Sequence, residues 1–172
     1  RHYSPDNMIL SVAGDLPVDQ MESAIRARLE KIPRTPRESP VIPAEPPQLA
    51  ERSSRQTGPY EVTRISWVFH ATDLADPDTP ALDVLASAVG SGRSSLLVKR
   101  LREERRIVLD VDAWSYTPKD PGLFGIGAEC EPEKEPEAIA ALRAEVARWQ
   151  TEPFDLAQIE RARREVLVGS IQ

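Results

Sequence analysis

The chain has 172 residues, 40% of them apolar, which is enough to bury a core and too much for wholesale disorder. Its 22 basic and 28 acidic residues leave a net charge of −6, which argues against nucleic-acid binding and offers no basic face to a membrane. Cys130 is the only cysteine, so an intramolecular disulfide and a cysteine-built zinc knuckle are both excluded.

No apolar run reaches the length of a membrane span, and no signal-peptide pattern is present. The opening Arg1-His2-Tyr3-Ser4-Pro5 reads as the interior of a longer chain, so the missing leader assigns no compartment and leaves periplasm and cytoplasm both open. Residues 8–13 are an apolar run that predicts a strand, ended by Gly14-Asp15. Asp15 is placed to cap a helix, with Pro17 near its first position and Val18, Met21, Ile25, Leu29 and Ile32 along one face. Of the sixteen prolines, Pro33, Pro36, Pro40, Pro43, Pro46 and Pro47 crowd into one stretch that resists helix and sheet ladders. The predicted organisation is a strand-helix piece over residues 1–32, a Pro-rich interdomain linker over 33–59, and a larger unit over 60–172.

In the larger unit, residues 61–71 are rich in β-formers, with Val62, Ile65, Trp67, Val68 and Phe69. Asp78-Thr79-Pro80 starts a helix with Leu82, Leu85 and Val89 on its stripe, and Gly90 ends it. Ser94 or Ser95 opens a second helical stretch reaching Arg105. Residues 107–116 and 123–130 predict a hairpin around the turn 117–122, with Ile107, Leu109, Val111 and Ala113 on one face of its first strand. Ile139, Leu142, Val146 and Trp149 mark a third helix. Asp155 caps a fourth, which carries Ile159, Ala162 and Val166. The fold class is therefore α+β: a two-layer sandwich built from a β-α-β-β-α-α unit, its sheet mainly antiparallel and its helices on one face.

Three stretches carry a family resemblance. They are Tyr3-Ser4-Pro5-Asp6-Asn7-Met8 with Gly14-Asp15; Gly90-Ser91-Gly92-Arg93-Ser94-Ser95-Leu96 with Leu101-Arg102-Glu103-Glu104; and Asp120-Pro121-Gly122-Leu123-Phe124-Gly125-Ile126. In this order and spacing the chain resembles the pitrilysin/insulinase family of inverted-motif zinc metallopeptidases, which includes the mitochondrial processing peptidases. The resemblance implies paired α+β domains. One carries His-x-x-Glu-His and a distant glutamate around zinc; the other is its non-zinc, C-terminal-type partner. Here His2 and His70 are the only histidines and lie far apart, so this fragment is expected to bind no cofactor and to cleave no peptide alone. Zinc is expected in the parent enzyme, on another domain. Residues 1–32 then match the end of a preceding peptidase-type domain, and residues 60–172 the first half of an inactive partner domain.

The same resemblance implies partners: a peptide substrate in the parent, and the remaining peptidase domains or a homologous subunit. No nucleic acid and no membrane span are expected. With the sheet of the 60–172 unit incomplete, residues 1–32 are expected to dock on it, within one chain or as a swapped homodimer. The leading function is a non-catalytic fragment of a zinc-dependent metalloendopeptidase, helping to enclose and bind peptide. The alternatives are a structural or assembly subunit of the same family, or a small-ligand α+β module.

The substrate-binding candidates are Arg102, Gly90, Gly92, Arg93 and Ser94. In some members of the family an arginine matching Arg102 and a tyrosine seven residues later reach substrate, where they could hold a carbonyl and stabilise oxyanion charge. Leu109 occupies that tyrosine position. The competing reading of Arg102 is a solvated helix arginine paired with Glu103, Glu104 or a nearby turn. The turn at 90–95 could touch peptide as the matching loop of the processing peptidases does, or simply end one helix and cap the next. It lacks the Gly-Lys-Ser/Thr of a phosphate loop. His70 reads as a half-buried structural residue, and Trp67, Trp114 and Trp149 as core anchors. The glutamates at 129, 131, 133, 135 and 137 lack the spacing of a calcium loop and read as a solvated helix entry.

Overall fold

In the computed structural model, which describes residues 5–33, 43 and 45–169, the period-two pattern of the larger unit becomes an antiparallel sheet. Its three strands are β1 (Thr63–His70), β2 (Asp110–Tyr116) and β3 (Leu123–Cys130), in the order β1-β3-β2. The central strand sets the register. Ile65 and Val111 both stand opposite Ala128, and Trp67 and Ala113 both stand opposite Ile126. Alternation puts these rows on one face, where Val111, Ile126 and Ala128 are buried and Ile65 and Trp67 pack against them. The turn is tied back to the end of β1: Ala71 N–H donates to the Gly122 carbonyl at 2.9 Å, and Gly122 N–H to that of Ala71 at 3.2 Å.

Helices α2 (Thr79–Gly90), α3 (Glu135–Thr151) and α4 (Leu156–Gly169) follow the apolar stripes. Ala86 and Val89 of α2 join Ala138, Ala141 and Leu142 of α3 in the same core as the inner sheet face. Helix α4 packs on α2: Ala162 is buried, and Ser87 Oγ donates to Glu165 Oε2 at 2.8 Å. Asp155 Oδ1 accepts the Ala157 amide at 3.1 Å, the cap expected at the start of α4. This is the two-layer α+β arrangement expected from the residue pattern. The acidic run becomes a short 3₁₀ turn, Pro132–Lys134, leading into α3, whose first turn bears Glu135 and Glu137 where the helix dipole favours them.

The second helical stretch is present and is π-helical over Val98–Glu104, closed by the Arg105 amide on the Arg100 carbonyl at 3.2 Å. Several expectations are corrected. The chain reverses just beyond that segment at Arg106, whose φ of 54° is left-handed, and enters β2 only at Asp110. That reversal buries Ile107 and Val108 together and turns Leu109 out, which breaks the alternation expected from 107 onward. Trp114 stands in the row of Val68 and Gly125, on the sheet face opposite the core, where its indole fills the space a Gly125 side chain would need. His70 is exposed rather than half-buried.

The chain divides into two compact units, residues 1–55 and 56–172. In the first, Pro5–Asn7 is a 3₁₀ turn and α1 is Val18–Leu29. Pro17, not Asp15, occupies the N-cap, and Asp19 is the acid of the first turn. Met21 and Ile25 are half-buried and, with Leu29, line a shallow groove shared with Leu10 and Val12. The strand expected at residues 8–13 is not formed. Ile9 is fully exposed at 100%, and no described residue offers those amides and carbonyls a ladder. Within the linker, Pro33, Pro43 and residues 45–59 carry neither helix nor strand; its other positions lie outside the described residues.

Candidate functional site

Gly90 closes α2 against β2. A Cβ built there would lie 2.1 Å from the Ala113 nitrogen and 2.5 Å from its Cβ, so only glycine lets the last helical turn meet that strand. Gly92 has a different requirement, a φ of +72° in open space. Its carbonyl accepts both the Ser95 amide at 3.1 Å and Ser95 Oγ at 2.8 Å. Ser95 is fully buried and anchors the turn, whereas the side chains of Arg93 and Ser94 are exposed. The Ser94 carbonyl accepts Arg161 Nη2 at 3.0 Å.

Arg102 projects from the π-helical segment next to Leu101, which is fully buried. Its guanidinium, 44% exposed, lies with Nη1 at 3.5 Å from Asp110 Oδ1, at the start of β2. The neighbouring Glu103 pairs with Arg93 at 3.8 Å. The structure thus brings Arg93, from the glycine turn, to the residue beside Arg102. The partner of Arg102 is neither Glu103 nor Glu104, the acids named from local spacing, but Asp110, eight residues on and reached because the chain reverses at Arg106. Two residues further, the Asp112 carboxyl is held above its usual range, first by partial burial and then by Asp110.

A half-exposed guanidinium with one long ionic contact keeps free N–H groups and can receive a peptide carbonyl or carboxylate. Leu109, at the tyrosine position of the family motif, is 47% exposed and offers only apolar contact. The residues do not fit a zinc centre. Helix α2 presents Leu82, Leu85, Ala86 and Val89 to the core, and no three His, Cys, Asp or Glu side chains gather among the described residues. Cys130 is buried and its thiol is pushed up, first by burial and then by Glu131, so it behaves as a core residue. No helix among the described residues is long and apolar enough to cross a membrane.

A family model described as the peptidase M16 inactive domain matches residues 1–166. A Streptomyces coelicolor protein named an uncharacterized zinc protease is 27% identical over 85% of this chain and 33% of its own length. The chain therefore spans about a third of that relative. Among solved structures, the peptidase M16 inactive domain from Pseudomonas fluorescens aligns with a TM-score of 0.61 at 20% identity, over 66% of this chain and 28% of its own. A protease from Helicobacter pylori aligns with a TM-score of 0.63 at 16% identity, over 92% of this chain and 39% of its own. At those identities the two structures speak for the fold.

Proposed function

The chain belongs to the peptidase M16 inactive-domain family, and from that membership we propose that it forms part of the non-catalytic half of a zinc-dependent endopeptidase, helping to enclose and bind the peptide. The zinc that relatives' names imply would be held by another domain of the parent, since the residues of this chain do not fit it. The observation that carries the reading is Arg102, half-exposed and lightly held on the π-helical segment, with the exposed Arg93 tied to the adjacent Glu103. Such a pair of cations beside an open turn suits peptide carbonyls and acidic side chains. Gly90, Gly92 and Ser94 then shape and present the turn.

The apolar groove of α1 with Leu10 and Val12 is where another peptidase domain of the parent, or a second copy, would seat. A role as a structural or assembly subunit remains the competing function, and one experiment separates them. In the full-length parent, Arg102→Ala is expected to lower kcat/KM for peptide cleavage about tenfold, the loss of one charge-assisted hydrogen bond, with the melting temperature unchanged. Unchanged peptidase kinetics would sink the substrate-contact role.

A further inference from the structure

A second cleft, away from Arg102, lies among the start of the π-helical segment, the end of α3 and the start of α4. Its volume is about 450 Å³, within the range of small-molecule sites. Leu96, Trp149, Pro153 and Phe154 supply apolar wall, and Lys99, Arg100, Arg148 and Arg161 supply donors. Both acids in the lining have a partner. Glu152 lies 3.6 Å from Arg148 Nε, and Asp155 Oδ1 accepts the Ala157 amide, while the Asp155 backbone carbonyl accepts those of Gln158 and Ile159. Beyond the lining, Glu145 bridges Arg100 at 2.5 Å and Arg148 at 3.1 Å, and Glu165 lies 3.6 Å from Arg161 Nε.

What is left over is donors. Lys99 is exposed, and its ammonium group makes no hydrogen bond or ion pair among the described residues. The three guanidinium side chains are 30%, 39% and 32% exposed, and one acid for Arg100, two for Arg148, and one acid and the Ser94 carbonyl for Arg161 do not use up the five N–H groups of each. Trp149 Nε1 is shielded from solvent and has no acceptor among the described residues, an orphan donor in the same wall. A site with surplus donors beside aromatic and aliphatic walls calls for a ligand that brings acceptors on one end and apolar surface on the other. Planar guanidinium forks match the two oxygens of a carboxylate.

We propose that this cleft binds a small carboxylate bearing an apolar group, such as an acylated hydrophobic amino acid or the carboxyl-terminal residue of a peptide, with Lys99 as its principal ionic contact. The proposal stands apart from the peptidase reading, because it needs neither zinc nor Arg102.

The test uses the ¹⁵N-labelled chain, in which the indole N–H signals of Trp67, Trp114 and Trp149 serve as three internal reporters. Titration with N-acetylphenylalanine is expected to move the Trp149 signal saturably while leaving Trp67 and Trp114 in place. N-acetylphenylalanine amide, with the same apolar group and no charge, is expected to bind at least about tenfold more weakly, as is the acid to Lys99→Ala. Lys99 is exposed, so the variant is expected to keep the parent melting temperature. An absent or non-saturable Trp149 response, or equal affinity for acid and amide, overturns the proposal. So does unchanged affinity in Lys99→Ala. Phenyl phosphate is the third arm, and tighter binding of it than of the carboxylate would reassign the cleft to phosphate esters and overturn the ligand named.

Discussion

Replacing Gly90 by alanine separates its two possible roles, a contact for peptide and a contact within the fold. The added methyl carbon would sit 2.1 Å from the Ala113 nitrogen, 2.5 Å from its Cβ and 2.7 Å from its Cα. Ordinary contact requires roughly 3.5 Å, so the end of α2 and strand β2 must separate by roughly 1.4 Å. The obstacle is strand backbone held in register with β3, not a flexible side-chain tip. Overpacking of this kind costs about 3 kcal/mol, while alanine recovers up to about 1 kcal/mol of helix entropy, a net loss of about 2 kcal/mol. For a unit of this size that is a fall in melting temperature of about 10 °C. Gly92→Ala is the control. It meets no atom within 4 Å, but its φ of +72° makes a side chain costly by about 1 kcal/mol. Thermal unfolding of the two variants, followed by circular dichroism, is expected to rank Gly90→Ala well below Gly92→Ala. Equal or reversed ranking would refute the packing account of Gly90 and return it to the substrate-binding candidates on its own merits.

Leu101 is fully buried on the inward side of the π-helical segment, and Leu101→Ala is expected to cost about 2–5 kcal/mol, read as a lower urea midpoint at constant slope. A midpoint shift worth less than about 1 kcal/mol would mean the segment is not locked to the core. Glu145 is buried between Arg100 and Arg148, and Glu145→Ala is expected to lose about 1–3 kcal/mol, moderated because both guanidiniums are partly exposed and can rehydrate. Combining it with Arg100→Ala should recover part of the loss, and strict additivity would show that the two do not interact. Asp112 has a raised carboxyl, so its favourable contribution is present while it is protonated, below its unfolded-state pKa, and is lost as pH rises through the folded one. Asp112→Asn is therefore expected to raise the melting temperature at neutral pH and to have little effect in acid. A variant less stable than the parent at neutral pH would contradict that sign.

The layered fold of the larger unit was legible because each element announces itself locally. Two alternating runs flank a Pro-Gly turn, and β3 begins and ends where the alternation does, at Leu123 and Cys130. Thr79-Pro80 opens α2 and Gly90 ends it, in the places those residues favour. The misreadings share one physical cause, that local pattern does not contain the long-range partner. Residues 8–13 have the composition of a strand, but a strand exists only in a ladder, and none is offered to them by the described residues. Trp114 is large and apolar, yet parity with Ala113 sends it to the outer face, where it rests over Gly125. Size suggested the core; register decided otherwise.

The site shows the same division more sharply. Arg102 is identifiable from its motif, and its place on a helical surface follows from Leu101 beside it. Its actual partner depends on two features that no periodicity encodes. One is the wider π-helical turn, and the other is the left-handed Arg106 that swings Asp110 back toward the segment. A left-handed arginine is unfavourable by about 1–2 kcal/mol on its own. Here the Arg106 carbonyl is held by Lys134 Nζ at 3.2 Å, while Ile107 and Val108 are buried immediately after it. Burial of those two side chains offsets the strain, and the strained turn is what sets Asp110 against Arg102. The cleft at Trp149 is further still from local legibility, because Lys99, Arg148 and Arg161 come from three separate elements. Only the packing of α4 beside α3 and the π-helical segment turns them into a common surface with more donors than acceptors, and that surplus is a property of the assembled fold rather than of any stretch within it.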